Sequence, residues 1–344
     1  MQTYSTVASR NLIMAEQQML KHAMPMKVLS TFGVQKEMPK NRTDTLVYRR
    51  ALPLDAAANG APSVTASNYI LQEGVTPSAR TITYQDVQCT LQNYGVLMKI
   101  TSKAEMMYED DIPGDMVKLV GEHMATIEEQ IAYGAVKGGT SVVYANGASQ
   151  AAVNTAISLN KLRQCSRVLE LARAARVTSR LSSSVDFGSQ SVHPSYIVFT
   201  HTDVENDIQN LPGFKDVVDY GSQKPVHERE IGAVGTYRFV TSPEFRPYLA
   251  VGAANGGSNT FLTNGGTGSG NCDVYPVLVV AEEAWGQVAL KGQGAIDPIY
   301  LPAKQKTHAN PMGLFGYVGA NFWKTAIRLN ENFMIRLEVA VTAL

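Results

Sequence analysis

The stretch EGVTPSARTITYQDVQCTLQNYGVLMKIT, residues 73–101, has the composition of one long β-strand, yet its apolar side chains keep changing face. They fall into three successive sets, of which the first and third share a face: Ile82 and Tyr84; Val87, Cys89 and Leu91; Tyr94, Val96, Met98 and Ile100. Because strand side chains alternate with a period of two, each change of face needs a slip of one residue. We interpret the two slips as bulges, or as a strand that meets different partners along its length.

The residues before this stretch predict a segment without a core of its own. Residues 53–68, PLDAAANGAPSVTASN, are mostly small, contain glycine and proline, and hold a single charge. Such a segment cannot bury enough apolar surface to offset the entropy lost on ordering it. We expect it to be an exposed or partner-dependent loop.

The composition indicates a globular chain with an unusually uncharged surface. Of its 344 residues, 44% are hydrophobic and 17% are charged, below the roughly 25% of ordinary soluble proteins. The length predicts two domains or one elaborated unit. Low charge favours a surface covered in an obligate assembly, and a large domain around a buried active site is the alternative.

Charge and cysteine usage disfavour several classes of function. Thirty basic residues balance 30 acidic residues, whereas a protein that grips nucleic acid normally has a basic excess. The distant cysteines Cys89, Cys165 and Cys272 support neither a disulfide framework nor a zinc site, so we expect a reducing compartment. We expect no signal peptide and no membrane-spanning segment.

Periodicity predicts long helices and antiparallel strands in irregular alternation, which is typical of an α+β fold. The longest predicted helix covers residues 113–137, with an apolar stripe made of Met116, Val120, Met124, Ile127, Ile131 and Ala135. The other predicted helices are at 8–24 and 159–176, with a short one at the Ser102–Glu105 capping box. The predicted strands are at 45–52, 236–241, 247–252 and 274–280, and a strand at 194–203 runs into a helix that Thr202 and Glu205 cap and Pro212-Gly213 ends. Two C-terminal strands joined by a turn at 330–332 complete the prediction.

No motif in the chain amounts to an active site. GGTGSG, residues 265–270, lacks the spacing of a phosphate-binding loop, and we expect residues 253–273 to form an exposed loop that tolerates change. Structural roles are favoured for His193, His201 and Asp203. For the acidic residues that precede the long helix, complementing the helix dipole is favoured over binding a hard cation: Glu109, Asp110, Asp111 and Asp115. We predict no catalytic residue, no cofactor and no metal.

The helix at 159–176 is basic, with Lys161, Arg163, Arg167, Arg173 and Arg176, and only Glu170 opposes these charges. It could touch phosphates, but it offers no aromatic platform for bases. A solvated or subunit-facing helix is the favoured interpretation.

A family resemblance rests on six phrases in a fixed order along the chain. They are MLKHAMPMKVLSTFGVQKEMPKNRTDTLVYRR (19–50), LQEGVTPSARTITYQDVQCTLQNYGVLMKIT (71–101), YANG (144–147), NLPGFKDVVDYGSQKP (210–225), EIGAVGTYRFVTSPEF (230–245) and YPVLVVAEEAWGQVALKGQGAIDP (275–298). Together they resemble the major capsid proteins of N-four-like tailed bacteriophages. That family is similar to the Hong Kong-type capsid fold of tailed phages and herpesviruses.

The resemblance implies a tailed-phage major capsid fold divided into five segments. These are an N-terminal arm at 1–45, an extended β-hairpin loop at 46–93, a peripheral domain with a long spine helix at 94–150, an axial domain at 151–290, and return strands of the peripheral domain at 291–344. The extended loop would contact a neighbouring subunit through Tyr69, Ile70, Leu71, Glu73, Val75, Arg80, Ile82 and Tyr84. Some relatives of this fold join subunits through a lysine on that loop, but residues 41–98 contain no lysine.

The implied function is structural. The chain would assemble with itself into hexamers and pentamers of an icosahedral shell around double-stranded DNA, without sequence-specific DNA binding and without a membrane partner. Portal, scaffolding and decoration proteins are further candidate partners. The expected location is the virion capsid, assembled in the bacterial host cytoplasm. A tail or baseplate component, or an enzyme with a scattered site, are the alternatives.

Overall fold

The computed structural model describes residues 27–57, 61–107, 112–181, 189–220, 225–255, 260–268, 270–306, 308 and 310–344. The described residues divide into two compact units. Counting described residues only, the first draws on residues 27–46, Cys89–Gly134 and Gly286–Ile327, and the second on Val47–Gln88, Ala135–Trp285 and Arg328–Leu344. The helix predicted at 8–24 lies outside the described residues, and the five segment boundaries implied by the resemblance stay a prediction.

The first unit contains a mixed sheet packed against the long helix. Its helices and strands are β1 (Val34–Met38), β4 (Gln92–Thr101), α1 (Ser102–Met107), α2 (Ile112–Lys137, which continues into the second unit), β14 (Trp285–Leu290), β15 (Asp297–Leu301) and β16 (Phe315–Arg328). The strand order is β1-β14-β16-β15, with β4 also paired to β16. β1 runs parallel to β14, while β4 and β15 run antiparallel to β16.

The predicted long helix and its stripe are confirmed by α2. Met116, Val120 and Met124 are buried in one core with Val318 and Phe322 of β16. A stripe at helical spacing keeps one side of α2 on the sheet along several turns, and at 1.5 Å per residue a helix of this length forms a rigid strut.

The second unit is built around a larger sheet. Its elements are β2 (Thr45–Ala51), β3 (Tyr84–Thr90), β5 (Val142–Tyr144), α3 (Leu159–Leu171), β6 (Val177–Leu181), β7 (Ser189–Thr200), α4 (Glu205–Gln209), β8 (Phe214–Asp216), β9 (Glu230–Val234), β10 (Tyr237–Thr241), β11 (Leu262–Thr263), β12 (Gly266–Thr267), β13 (Tyr275–Val280) and β17 (Met334–Val339). The sheet order is β5-β17-β13-β7-β10-β9-β8, with β6 also paired to β7. Leu162, Cys165 and Leu169 of α3 are fully buried in the core on one face of this sheet.

Three predicted elements differ from the structure. The helix predicted at 159–176 ends at Leu171, because Arg173 adopts a left-handed backbone conformation with φ 56°. The strand predicted at 247–252 is reduced to an isolated bridge between Tyr248 and Val274. Residues 73–83 are not strand, since β3 begins only at Tyr84. By contrast, the C-terminal strand–turn–strand prediction is confirmed by β16 and β17.

Candidate assembly surface

β2 and β3 form a two-stranded sheet of their own, here called the ribbon. Arg49 Nε and Nη2 donate to the two carboxylate oxygens of Asp86, each at 2.8 Å, and this hydrogen bonding lowers the pKa of Asp86. Beyond this pair, Leu52 N–H donates to the Thr83 carbonyl at 2.9 Å. A bidentate arginine–carboxylate pair fixes which residues lie opposite each other, although its exposure limits its contribution to stability.

The distal segment, residues 52–83, continues from the ribbon, and its described residues (52–57 and 61–83) form no regular strand. The Asp55 carboxylate accepts hydrogen bonds from the Tyr69 hydroxyl and the Arg80 guanidinium. Arg80 also lies over the Tyr69 ring, 4.9 Å from its centroid. The hydrogen bond from Tyr69 lowers the pKa of Asp55 and raises that of Tyr69. These exposed contacts connect Asp55, Tyr69 and Arg80, in a segment whose described residues form no apolar core.

The distal segment presents apolar side chains that no described part of the subunit covers. Ile70 is 75% exposed, Leu71 71% and Ile82 64%, while among the described residues of the segment Ala61 alone is buried. The eight residues predicted to contact a neighbouring subunit are all exposed: Tyr69, Ile70, Leu71, Glu73, Val75, Arg80, Ile82 and Tyr84. Exposed apolar surface of this extent is typical of a binding surface. The contacts of these residues with another subunit stay a prediction.

The second change of face coincides with a change of strand partner. Leu91 lies between the end of β3 and the start of β4 and belongs to neither strand. β3 pairs with β2, whereas β4 pairs with β16 from Gln92 to Thr101. Leu91, whose N–H donates to the Asp44 carbonyl at 2.9 Å, lies outside both strands and shifts the alternation by one, so that Val96, Met98 and Ile100 face α2. The interpretation of this slip as a change of partner is confirmed. The first slip needs no bulge, because Ile82 precedes β3 and Tyr84, the first residue of β3, is exposed and not on the packed face.

Sequence reasoning missed an anchor that ties residues 27–30 to α2 in the first unit. The Glu129 carboxylate, 0% exposed, accepts three consecutive backbone N–H groups: Val28 at 3.2 Å, Leu29 at 2.6 Å and Ser30 at 3.1 Å. Burial raises the pKa of Glu129 despite these hydrogen bonds. In the sequence, the one sign of this contact is a pair of adjacent glutamates, Glu128 and Glu129, inside a long helix that has an apolar stripe.

The neighbouring carboxylate adds an ionic contact to this anchor. Glu128 forms buried ion pairs with Lys27 and Lys324. Burial acts to raise the pKa of Glu128, but the two lysine charges outweigh it and leave that pKa below its ordinary value. Residues 27–30 are thus fixed through one carboxylate bound to amides and one bound to ammonium groups.

The loop predicted at 253–273 is exposed at several described residues, but a buried carboxylate at its end fixes it more firmly than its sequence indicates, and its tolerance to change stays a prediction. Buried Asp273 accepts the N–H groups of Ala250 at 2.7 Å, Asn264 at 2.8 Å and Gly265 at 2.6 Å. Asn264 and Gly265 both have positive φ, 50° and 77°, and form the turn between β11 and β12. Leu262 N–H also donates to the Val341 carbonyl at 2.9 Å. Gly265 permits the positive φ that the turn requires, and the buried Asp273 carboxylate fixes the hairpin by accepting its N–H groups.

The residues weighed for chemistry have structural contacts. His201 Nδ1 accepts the Asp203 N–H at 3.1 Å, and Asp203 accepts the Tyr275 hydroxyl at 2.8 Å. Asp115 Oδ1 lies 3.5 Å from Lys118 Nζ, an exposed ion pair in the first turns of α2. Burial raises the pKa of the Cys165 thiol to about 12, which disfavours a thiolate nucleophile. Glu109, Asp110 and Asp111 lie outside the described residues, as does the side chain of His193.

The described ranges contain neither a cluster of metal-ligating side chains nor a helix that could span a membrane. No group of three or more histidine, cysteine, aspartate or glutamate side chains there could hold a metal ion. No helix in the same ranges has the length and apolar character needed to cross a membrane.

Comparison with solved structures identifies the fold. The capsid of Ralstonia phage GP4 matches with a TM-score of 0.60 at 10% identity, over 89% of this chain and 86% of that chain. The capsid of cyanophage P-SCSP1u matches with a TM-score of 0.54 at 12% identity, over 91% and 88%. The head of Helicobacter pylori bacteriophage KHP40 matches with a TM-score of 0.57 at 10% identity, over 91% and 88%.

The chain has the major capsid fold of tailed phages. The predicted α+β class and capsid fold are therefore confirmed. No protein-family model and no curated protein sequence matches the chain. The narrower resemblance to N-four-like phages stays a prediction. Among the described residues, the distal segment presents a run of exposed apolar side chains that includes Ile70, Leu71 and Ile82.

Proposed function

We propose that this chain is a major capsid protein that assembles with copies of itself into the hexamers and pentamers of an icosahedral shell around double-stranded DNA. The likeness to phage capsids over most of both chains supports this function. It favours a shell protein over a tail or baseplate component and over an enzyme. The expected location is the virion capsid, with assembly in the host cytoplasm and with portal, scaffolding and decoration proteins as further partners.

The observation that most directly supports the proposal is the uncovered apolar surface of the distal segment. Fully burying one leucine or isoleucine side chain contributes about 1.5–3 kcal/mol, and Ile70, Leu71 and Ile82 gain little of this within the subunit. Ordering each backbone residue costs about 1–2 kcal/mol. A neighbouring copy that covers these side chains would offset that cost, so we infer that the distal segment is completed by assembly.

Electron microscopy of three matched preparations tests the proposal. The natural chain should form closed shells. A triple variant with Ile70→Ser, Leu71→Ser and Ile82→Ser should fold but fail to form shells, because it loses the apolar surface that a neighbour covers. A control variant, Val218→Ser, removes an 88% exposed apolar side chain outside the distal segment and should still form shells.

Two outcomes would contradict the proposal. If the natural chain stays a compact monomer at high concentration or forms open tubes, the shell function is wrong. If the triple variant forms normal shells, assembly does not depend on the surface identified. Circular dichroism of the triple variant confirms that any loss of shells is not a loss of folding.

A further inference from the structure

The distal segment contains a stretch of strand composition that no described strand pairs with. Residues 78–83, SARTIT, follow Pro77, which has no N–H to donate to a ladder, and lead directly into β3. A cavity of about 390 Å³ lies between this stretch and residues 52–56, so the two do not pair with each other. All six residues are exposed, and six residues is the length of an ordinary strand.

The first unit contains a long strand with one unpaired edge. β4 pairs with β16 along all ten of its residues, and no described strand pairs with its other edge. It is the longest edge strand among the described sheets. Proteins normally protect such an edge by shortening it or with proline, bulges or charges. β4 has no proline and a continuous register with β16, and Lys99 is its single charge.

β3 keeps these two unpaired features apart within one copy of the chain. Its seven residues, extended at about 3.3 Å each, span roughly 23 Å between residues 78–83 and the start of β4. The far end is fixed, since Arg80 is paired with Asp55 and Leu52 N–H donates to the Thr83 carbonyl. An edge that receives residues 78–83 therefore belongs to another copy.

The side chains of the two strands are compatible on both faces of the sheet. Leu97 is 63% exposed and lies on the face of β4 that points away from α2, while Ile82 is 64% exposed. A register with Ile82 beside Leu97 joins these two apolar side chains. The same register places the small Thr81 and Thr83 side chains on the face that packs against α2, where little room is left.

Charge favours a parallel direction for the added strand. With Ile82 beside Leu97, a parallel strand has Arg80 beside Gly95, whereas an antiparallel strand has Arg80 opposite Lys99. Like charges directly opposite each other destabilise a pair of strands. The parallel arrangement avoids this contact.

We propose that residues 78–83 of one copy add to the free edge of β4 in a neighbouring copy as a parallel strand, with Ile82 against Leu97. Backbone hydrogen bonds then satisfy an edge that is otherwise open, and the paired side chains set the register. This inference rests on the proposed shell function and names the surface that receives the distal segment.

Disulfide trapping in assembled particles tests the pairing. The double variant Ile82→Cys with Leu97→Cys keeps Ile70 and Leu71 and should still form shells. Shells are assembled under reducing conditions, then oxidised and run on a non-reducing gel. Each chain gives one cysteine to the next copy and receives another, so most chains should run as multimers.

A second double variant is the matched control. Ile82→Cys with Leu119→Cys places the second cysteine at a 54% exposed position of α2, in the same unit but away from the β4 edge, and should run as a monomer. The natural cysteines do not interfere, because all three are buried: Cys89, Cys165 and Cys272.

Hydrogen exchange of the natural chain provides a second measurement that needs no substitution. The β4 amides that point away from β16, every second residue within 93–98, should exchange more slowly in shells than in free subunits, because they gain acceptors. If the double variant forms no shells, this measurement decides.

The outcomes separate this pairing from the shell function. Shells whose Ile82→Cys, Leu97→Cys chains stay monomeric, equal cross-linking in the Leu119→Cys control, or unchanged exchange within 93–98 would each overturn the pairing and leave the shell function intact. A natural chain that forms no shells would overturn both.

Discussion

The carboxylate of Glu129 accepts the backbone N–H of Leu29 at 2.6 Å, although the two residues are 100 positions apart in the sequence. The same carboxylate also accepts the N–H groups of Val28 and Ser30. A short turn at Leu29–Thr31 would otherwise bury unsatisfied amide groups. One glutamate of the long helix therefore fixes the backbone of residues 28–30 within the first unit.

Substitution Glu129→Gln should lower the free energy of unfolding by about 1.5–3 kcal/mol. The three backbone N–H groups lose a charged acceptor, and the Gln side chain places its own N–H donors beside them. Urea denaturation of the soluble chain measures this. The matched control is Glu37→Gln, an exposed glutamate on β1, which should change stability by less than about 0.5 kcal/mol. Equal stability of both variants would show that the Glu129 contacts contribute nothing.

Glu128 and Glu129 should produce opposite pH dependences of stability. The folded pKa of Glu128 is lowered, so its contribution is present above the unfolded pKa and lost as pH falls through the folded pKa. The folded pKa of Glu129 is raised, so its contribution is present below the unfolded pKa and lost as pH rises through the folded pKa. Denaturation between acid and neutral pH checks both.

Single variants separate these two effects. The stability difference between the natural chain and Glu128→Gln should shrink as the solution is acidified. The difference between the natural chain and Glu129→Gln should grow on acidification. Parallel pH profiles for all three proteins would contradict both assignments.

Substitution Asp273→Ala should destabilise the chain by about 2–4 kcal/mol, because three N–H groups lose their acceptor at a fully buried position. Thermal denaturation measures the loss. Thr267→Ala, exposed in the same hairpin, is the control and should leave the melting temperature nearly unchanged. If Asp273→Ala is as stable as this control, the hairpin tolerates change as its sequence suggests.

Features that depend on residues close together in the sequence were predictable, whereas features that depend on residues far apart in the sequence were not. The stripe of α2 and the turn between β16 and β17 were predictable because each depends on residues a few positions apart. The strand partner of β4, which accounts for the slip at Leu91, depends on β16, more than 200 residues away. Asp273 and Glu129 look like ordinary acidic residues until the chain folds and brings distant amides to them. Residues 73–83 have strand composition, but no strand in the described part of the chain pairs with them.

Assembled shells should separate completely into single chains when boiled and reduced. Residues 41–98, which include the ribbon and its distal segment, contain no lysine, so the amide cross-link known from some relatives of the fold has no amine donor there. Gel electrophoresis should show one band near 37.3 kDa. A ladder of multimers would reveal a covalent bond from another part of the chain.

The most direct test of the account replaces residues 56–79 by an Asn-Gly turn, so that Asp55 and Arg80, already paired, become the ends of a tight hairpin. The distal segment contributes little to the subunit, so the melting temperature of the soluble variant should stay within about 2 °C of that of the natural chain. Electron microscopy should find no shells of the variant under conditions in which the natural chain forms them. Normal shells from the variant, or a variant that does not fold, would contradict the claim that the distal segment acts between copies.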